Sequence, residues 1–322
     1  MIAMFVGRLR ALGVYLVLAI PAAAATGSAY DQAIEMLRAG RFDEGVAALK
    51  DAATHDPHAA NTLGEVLRAG AFGQARDNVA ACDQFDVAAR AGIALAQHNL
   101  GNCFFRGQGR PVDYARSRIL YEDAIVGGSV KSLCALGNQY LRGYGVPADP
   151  QRAMMLCRQA AEQGDADAQA DLGQMLLNPT VASPDYAQAA QWLARAAAQG
   201  QPNALLNLGI MHWNGDGVEK DPNRARDLLL RAAEAGHPKA YFHLGRLFFL
   251  RAADPERRIV HEDRAWIALF WLNLAAEQDP EFENRAEAER LRQVLAQASP
   301  PDVRERAASE LVRWRAAKQL DP

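Results

Sequence analysis

The sequence predicts an all-α protein, an α/α superhelical solenoid of stacked antiparallel helix pairs. The first observation is a Leu-Gly pair that recurs after one step of 37 residues and then four steps of 36. The second is a Gly-x-Gly turn, an aspartate and a closing glycine that return in register with most of these pairs. A fixed period of roughly 20 to 50 residues is typical of proteins in which small helical units stack to share one core. The pairs begin at Leu63, Leu100, Leu136, Leu172, Leu208 and Leu244.

The first 29 residues predict an export signal. Arg8 and Arg10 supply the positive segment, residues 11–20 form a short apolar run, and the small residues that follow allow cleavage after Ala25 or Ala29. The run is about half of the roughly 20 residues that a spanning helix needs, which favours a signal over a membrane anchor. We therefore expect a secreted or periplasmic protein with no membrane span after cleavage. Four cysteines fit an oxidising compartment.

The charge of the chain argues against a nucleic-acid partner. Cleavage after Ala25 removes two arginines and no acid, so the formal net charge changes from −3 to −5. A mildly acidic protein gains little from phosphate contacts, and no nucleic acid is expected among its partners.

The repeats divide the mature chain into three parts. Residues 30–58 predict an N-terminal capping hairpin, residues 59–279 six full repeats, and residues 280–322 a C-terminal helical cap. The sixth repeat is seven residues longer than the period, with the extra residues in the charged stretch 254–264. This insertion is interpreted either as a tolerated surface loop or as a binding loop. The apolar stripe of the first hairpin is Ala33, Leu37, Phe42, Val46, Leu49 and Ala53, and that of the last helix is Val303, Ala307, Leu311 and Trp314.

The unit at residues 132–164 explains each repeated feature physically. Leu136 and Tyr140 are four residues apart and share one helix face, while Gly137 allows a second helix to approach closely. Asp149 before Pro150 predicts an N-cap followed by proline at the first helical position. Capping accounts for all the in-phase aspartates, and we prefer it to a ladder of calcium sites. The aspartates are Asp77, Asp113, Asp149, Asp185 and Asp221.

This unit and the one at residues 204–236 resemble the Sel-one-like repeat, a 36-residue relative of the tetratricopeptide repeat. The pattern is Ala-x-x-x-Leu-Gly-x-x-Tyr-x-x-Gly-x-Gly-Val, then Asp and Lys/Arg-Ala, then Ala-Ala-x-x-Gly, and residues 132–164 meet it almost in full. The resemblance implies a superhelical scaffold that binds another protein. Bacterial members of the family serve as adaptors in envelope assembly, signalling and host contact.

Motifs that carry catalysis or hold a cofactor are missing from the sequence. It contains no Gly-x-Ser-x-Gly elbow, no His-Glu-x-x-His helix, no phosphate-binding Gly-Lys-Ser/Thr loop and no Cys-x-x-Cys. The seven histidines share no ligand spacing, and His261-Glu262-Asp263 is interpreted as a solvated loop. We therefore expect no cofactor, no metal site and no catalytic residue.

The cysteines form two pairs that are symmetric about a turn. Cys82 and Cys103 are centred beside Gly92, and Cys134 and Cys157 are centred beside Gly145. Positions equidistant from the turn of an antiparallel helix hairpin lie level with each other. The spacing predicts Cys82–Cys103 and Cys134–Cys157 disulfides, and four buried thiols are the alternative.

A row of large apolar residues recurs at one position of the first helix of each repeat. This first-helix row is Phe105, Leu141, Leu177, Trp213 and Phe249, with His98 and Phe242 beside it. It lies opposite in helical phase to the stripe of Ala204, Leu208 and His212. The row is interpreted either as an apolar groove that grips an extended peptide or partner helix, or as packing between repeats.

Together these observations predict a secreted, non-catalytic scaffold for protein–protein interaction in the envelope, with a protein partner of unspecified identity. The alternative is an envelope enzyme or ligand-binding protein that acts on cell-wall or β-lactam-like fragments. It rests on the association of a few helicobacter-type relatives with penicillin binding, and no nucleophile with an adjacent base supports it.

Overall fold

The computed structural model describes residues 27–181, 183–254, 259–278 and 284–319. This part of the chain contains sixteen helices and one short strand pair, which confirms the all-α class. Most of the predicted export signal, residues 1–26, lies outside the described residues. The helices are α1 Ala29–Arg38, α2 Phe42–Ala52, α3 Pro57–Ala69, α4 Asn78–Arg90, α5 Ala94–Arg106, α6 Tyr114–Val126, α7 Val130–Arg142, α8 Pro150–Glu162, α9 Ala166–Leu177, α10 Tyr186–Ala198, α11 Pro202–Asn214, α12 Pro222–Glu234, α13 Pro238–Ala252, α14 Glu262–Gln278, α15 Arg285–Ala298 and α16 Pro301–Gln319.

Two compact units make up the chain, the first ending at Ala168 and the second beginning at Gln169, inside α9. In the first unit α1 packs on α2, α3 on α4, α5 on α6 and α7 on α8, and the second helix of each pair also contacts the first helix of the next. In the second unit α11 packs on α12 and α13 on α14, while α15 and α16 both contact α14. Each unit therefore builds its core from consecutive helix pairs.

The predicted N-caps are present at all five in-phase aspartates. Each aspartate precedes the second helix of its pair, and its side chain accepts a hydrogen bond from a backbone N–H of the first turn. Asp149, for example, accepts from the N–H of Arg152 at 2.9 Å, and Pro150 occupies the first helical position. The cap satisfies a backbone donor that the helix itself leaves without a partner, so it fixes where the second helix begins.

The Leu-Gly pairs mark the closest approach of the two helices in each pair. The six leucines are 0 to 4% exposed. A Cβ added to five of these glycines would lie 2.5 to 2.9 Å from an atom of the following helix, a distance that real Cβ atoms do not reach, and at Gly209 the distance is 3.0 Å. The side chains that face the glycines are Phe85, Tyr121, Cys157, Leu193, Leu229 and Leu272.

The two terminal segments differ in how well their sequence stripes predict burial. In α15–α16, the four stripe residues are buried, and the Trp314 ring contacts Phe270 and Trp271 of α14. In α1–α2, five of the six stripe residues are buried, but Phe42 is 43% exposed. The predicted stripe therefore extends beyond the buried core: Phe42 is the first residue of α2, and its ring lies against Phe72, with 5.3 Å between the centroids.

The insertion in the sixth repeat begins and ends in a small antiparallel ladder. Strand β1, Ala253–Asp254, pairs with β2, Ile259–Val260, so that Ala253 lies opposite Val260. Residues 255–258 between them lie outside the described part. The ladder brings the ends of the insertion together and lets α14 follow α13 as a helix pair despite the extra length.

Candidate interaction surface

The first-helix row is half-buried at every position. Phe105 and Leu141 belong to the first unit, and Leu177, Trp213 and Phe249 belong to the second. Phe242 differs, because it is only 2% exposed and its ring packs edge-on against His243. Phe242 therefore offers no accessible surface to a partner, whereas each row residue packs on one side and keeps apolar surface on the other.

Phe105 is part of an aromatic cluster that the sequence pattern did not reveal. Its ring lies 5.7 Å from Tyr114, at the start of α6, and 5.9 Å from Tyr144, in the turn after α7. The two tyrosine rings stack with centroids 4.7 Å apart and planes 11° apart. All three residues are half-buried. Rigid, partly exposed aromatic side chains are the kind that contribute most to protein interfaces.

His98 joins three helices through a chain of hydrogen bonds. Its Nε2 accepts from the Asn102 amide at 3.0 Å, so its Nδ1 carries the proton and donates to Ser132 Oγ, also at 3.0 Å. The Tyr121 hydroxyl donates to Asn102 Oδ1 at 2.8 Å. These contacts link α5 to α6 and α7, and they use both ring nitrogens.

The environment of His98 holds the ring neutral. Burial is the largest cause of a pKa lowered to about 4, and the positive charges of Lys131, Arg106 and Arg68 lower it further. A neutral imidazole whose two nitrogens are both engaged has no free position for proton transfer or for a ligand. His98 therefore holds adjacent repeats together and does not resemble a catalytic base.

Both predicted cysteine pairs lie at disulfide distance. Cys82 of α4 is bonded to Cys103 of α5, with Cα atoms 6.3 Å apart, and Cys134 of α7 is bonded to Cys157 of α8, with Cα atoms 4.1 Å apart. The first bond joins successive helix pairs and the second lies within one pair. Disulfides of this kind persist in oxidising, extracytoplasmic compartments.

Other kinds of site receive no support in the described ranges. Across residues 27–181, 183–254, 259–278 and 284–319, no group of three or more His, Cys, Asp or Glu side chains is arranged to hold a metal ion. His261, Glu262 and Asp263 are exposed where α14 begins. Within the same ranges, none of the helices combines the length and the apolar character that crossing a bilayer requires.

Comparison with known proteins identifies the repeats. A profile of the Sel1 repeat matches residues 94–125, 130–165, 166–201, 202–237 and 267–280. A Sel1 repeat protein from Oxalobacter formigenes is similar in structure, with 24% identity and a TM-score of 0.60 over 78% of this chain and 98% of that one. A protective antigen of uropathogenic Escherichia coli with an SLR fold shows 20% identity and a TM-score of 0.46, over 95% of this chain and 75% of its own.

A search of curated proteins finds no match. The likeness to the Oxalobacter structure establishes the fold, and the in-phase profile matches establish the repeat type. The chain therefore belongs to the Sel1 repeat family.

Proposed function

We propose that this protein is an exported, non-catalytic scaffold that binds a protein partner through the first helices of its repeats. Sel1 repeats generally serve as scaffolds for protein interaction. The proposal that this chain does so outside the cytoplasm rests on the predicted export signal and on the two disulfides.

The partial exposure of the first-helix row is the observation on which we base the choice of this row as the partner-binding surface. A side chain needed only for packing between repeats would be covered as fully as the leucines of the Leu-Gly pairs, which are 0 to 4% exposed. The row residues keep part of their apolar surface accessible in both units. Apolar surface on a helix face, flanked by polar residues, suits a partner peptide or helix that buries it on binding.

Crosslinking in cells tests this assignment. A photoreactive amino acid replaces Trp213 in one variant and Phe105 in another, and Val126 in a control variant. Val126 is apolar and 91% exposed, but it ends the second helix of its pair. We expect the same protein to be captured from Trp213 and Phe105 and not from Val126, and purified partner to bind less tightly to the Trp213→Ala variant. Equal capture at Val126 would contradict the assignment of the surface.

Two further measurements test the location and the absence of catalysis. Mass spectrometry of the processed protein is expected to show an N-terminus that follows Ala25 or Ala29. Incubation of the purified protein with peptidoglycan fragments is expected to leave them unchanged. Hydrolysis of such a fragment would replace the scaffold proposal with the enzymatic alternative.

A further inference from the structure

A cavity of about 70 Å³ opens beside the Cys82–Cys103 disulfide in the first unit. It lies between α3, α4 and α5. Its polar wall consists of Arg68, Asn78, Asn99, Asn102, Arg106 and Gln108. The disulfide and the fully buried ring of Phe85 form the apolar part of the lining. Neither the repeat pattern nor the first-helix row accounts for a polar cavity at this place.

The charges around the cavity leave one arginine without a counterion. Arg68 forms an ion pair with Glu65, and the other carboxylate oxygen of Glu65 accepts from Asn99 Nδ2 at 2.8 Å. Arg106 forms no hydrogen bond or ion pair with any side chain in the described part of the chain. The two arginines and one glutamate give the cavity a net positive charge. Together with burial, which is the larger cause, the positive charges of Arg106 and Arg68 also lower the pKa of the neighbouring His98.

Several donors in the cavity wall are also available. The side-chain amides of Asn78 and Gln108 make no hydrogen bond within the described residues. Asn102 uses one amide N–H for His98 and keeps the second. In contrast, Asn99 donates both of its amide hydrogens, to Glu65 and to Asn61. A guanidinium beside free amide donors presents the hydrogen-bonding groups that a carboxylate accepts from.

The size of the cavity limits what it holds. A cavity needs roughly 10 to 15 Å³ to hold one water, so about 70 Å³ holds several waters. A carboxylate with its first methylene is small enough for this space, with its oxygens toward the polar wall.

We propose that this cavity binds a carboxylate group of an acidic peptide segment, with Arg106 as the ion-pairing residue and Asn78 and Gln108 as amide donors. The peptide as the source of the carboxylate rests on the proposed scaffold function, whereas the carboxylate chemistry rests on the cavity alone. The carboxylate belongs either to an Asp or Glu side chain or to the end of a chain.

The test uses the oxidised, full-length protein and small probes. Propionate is titrated while the side-chain amide resonances of Asn78 and Gln108 are followed by NMR, and propionamide serves as the neutral control of the same shape. The variant is Arg106→Gln, and the matched control is Arg90→Gln. Both arginines are the last residue of a 13-residue helix, so both substitutions remove the same charge from the same position of a helix dipole. Arg90 is 79% exposed and lies outside the cavity lining.

Propionate is expected to shift both amide resonances, and propionamide is not. Because Arg106 is exposed and water screens its ion pair, Arg106→Gln should weaken propionate binding about two- to fivefold, while Arg90→Gln leaves it unchanged within error. Unshifted resonances, equal shifts with propionamide, or equal weakening in the two variants would each overturn the site. Asn78→Asp provides a second variant: a carboxylate suits the first turn of α4, so the fold is retained, but it should compete with the probe.

Two short peptides distinguish the sources of the carboxylate. One contains internal glutamates and has both ends blocked, and the other contains only alanine and has a free C-terminus. Binding of the first assigns the site to side chains, and binding of the second assigns it to chain ends. If propionate binds and neither peptide does, the peptide part of the proposal is refuted. If the in-cell crosslinking captures a partner and propionate does not bind, the site is refuted and the scaffold function stands.

Discussion

Gly101→Ala tests whether the repeat glycines are required for helix approach. Gly101 faces Tyr121, and a Cβ at this position would lie 2.6 Å from Cε1 and 2.8 Å from Cδ1 of that ring. The ring has little room to move, because Tyr121 is 1% exposed and its hydroxyl is bonded to Asn102. Gly209 occupies the same repeat position, but its added Cβ would lie 3.0 Å from Leu229 Cγ, a contact that a shift of a few tenths of an ångström relieves.

The two substitutions share one favourable contribution to the free energy of unfolding, from helix propensity. They differ in the unfavourable contribution, from overpacking. Alanine is better than glycine in a helix interior by about 1 kcal/mol, and this gain applies to both variants. Overpacking a rigid core costs about 1 to 3 kcal/mol, and we assign this cost to Gly101→Ala. At Gly209 the leucine has to move by a few tenths of an ångström, and the two contributions nearly cancel. The expected difference in free energy of unfolding between the variants is therefore about 1 kcal/mol, the middle of a range of about 0 to 2 kcal/mol.

Urea denaturation of the oxidised protein, followed by far-ultraviolet circular dichroism, measures this difference as a shift of the midpoint. We expect Gly101→Ala to unfold at lower urea than the wild type and Gly209→Ala to unfold within error of it. Equal midpoints for the two variants would refute the close-approach explanation, since helix propensity affects both in the same way.

Three further predictions concern the row, the disulfides and a buried histidine. Trp213→Ala is expected to reduce partner binding. It should lower the urea midpoint less than Trp192→Ala does, because Trp192 is buried and Trp213 is half-buried. An equal fall of the midpoint would assign Trp213 to the core. All four cysteines are at most 6% exposed, but Cys82 and Cys103 line the cavity and Cys134 and Cys157 do not. A mild reductant followed by alkylation and mass spectrometry should therefore detect modification of the first pair before the second, and the reverse order would contradict the placement of the cavity. Burial lowers the pKa of His98 to about 4 against about 6.5 in an unfolded chain, so the neutral ring contributes stability above about pH 6.5 that is lost as the pH falls toward 4. Urea midpoints at several pH values should accordingly fall less steeply for His98→Gln than for the wild type, and parallel curves would contradict this.

The sequence was sufficient for those features that depend on neighbours along the chain. The Asp149 cap requires only Asp149, Pro150 and the backbone N–H of Arg152, and all three lie within four residues. The cysteine pairs were also predictable, because equal distance from a turn places residues at the same level of a helix hairpin. Periodicity alone therefore specifies the helices, their caps and their partners within a pair.

The sequence did not predict features that depend on which helices, distant along the chain, pack against a residue. Phe42 fits the apolar stripe of its hairpin, yet at the first residue of α2 it is 43% exposed. The cavity requires Arg68 of α3 and Arg106 of α5 to line the same wall, and their separation of 38 residues along the chain does not indicate this. One signal was present: Asn99, Asn102 and Arg106 follow helical spacing of three and four, which predicts a polar face on α5.

The two disulfides stabilise different contacts of the repeat array. The stability of a solenoid is approximately the sum of the stability of each unit and of each contact between neighbours. Cys82–Cys103 crosslinks neighbouring helix pairs, and Cys134–Cys157 crosslinks the two helices of one pair. Their loops span 21 and 23 residues, for which the lost entropy of the unfolded chain predicts a stabilisation of about 3 kcal/mol each.

The internal bond also compensates for a weakness in the packing of its own pair. The residue that faces the repeat glycine is large in the other five pairs, being Phe, Tyr or Leu, but in the pair α7–α8 it is Cys157, opposite Gly137. A cysteine there buries less apolar surface than those side chains, so the contact between α7 and α8 would be weaker if the thiols were free. The bond to Cys134 replaces that missing packing with a covalent link. Reduction of the Cys134–Cys157 bond is therefore expected to weaken the contact between α7 and α8.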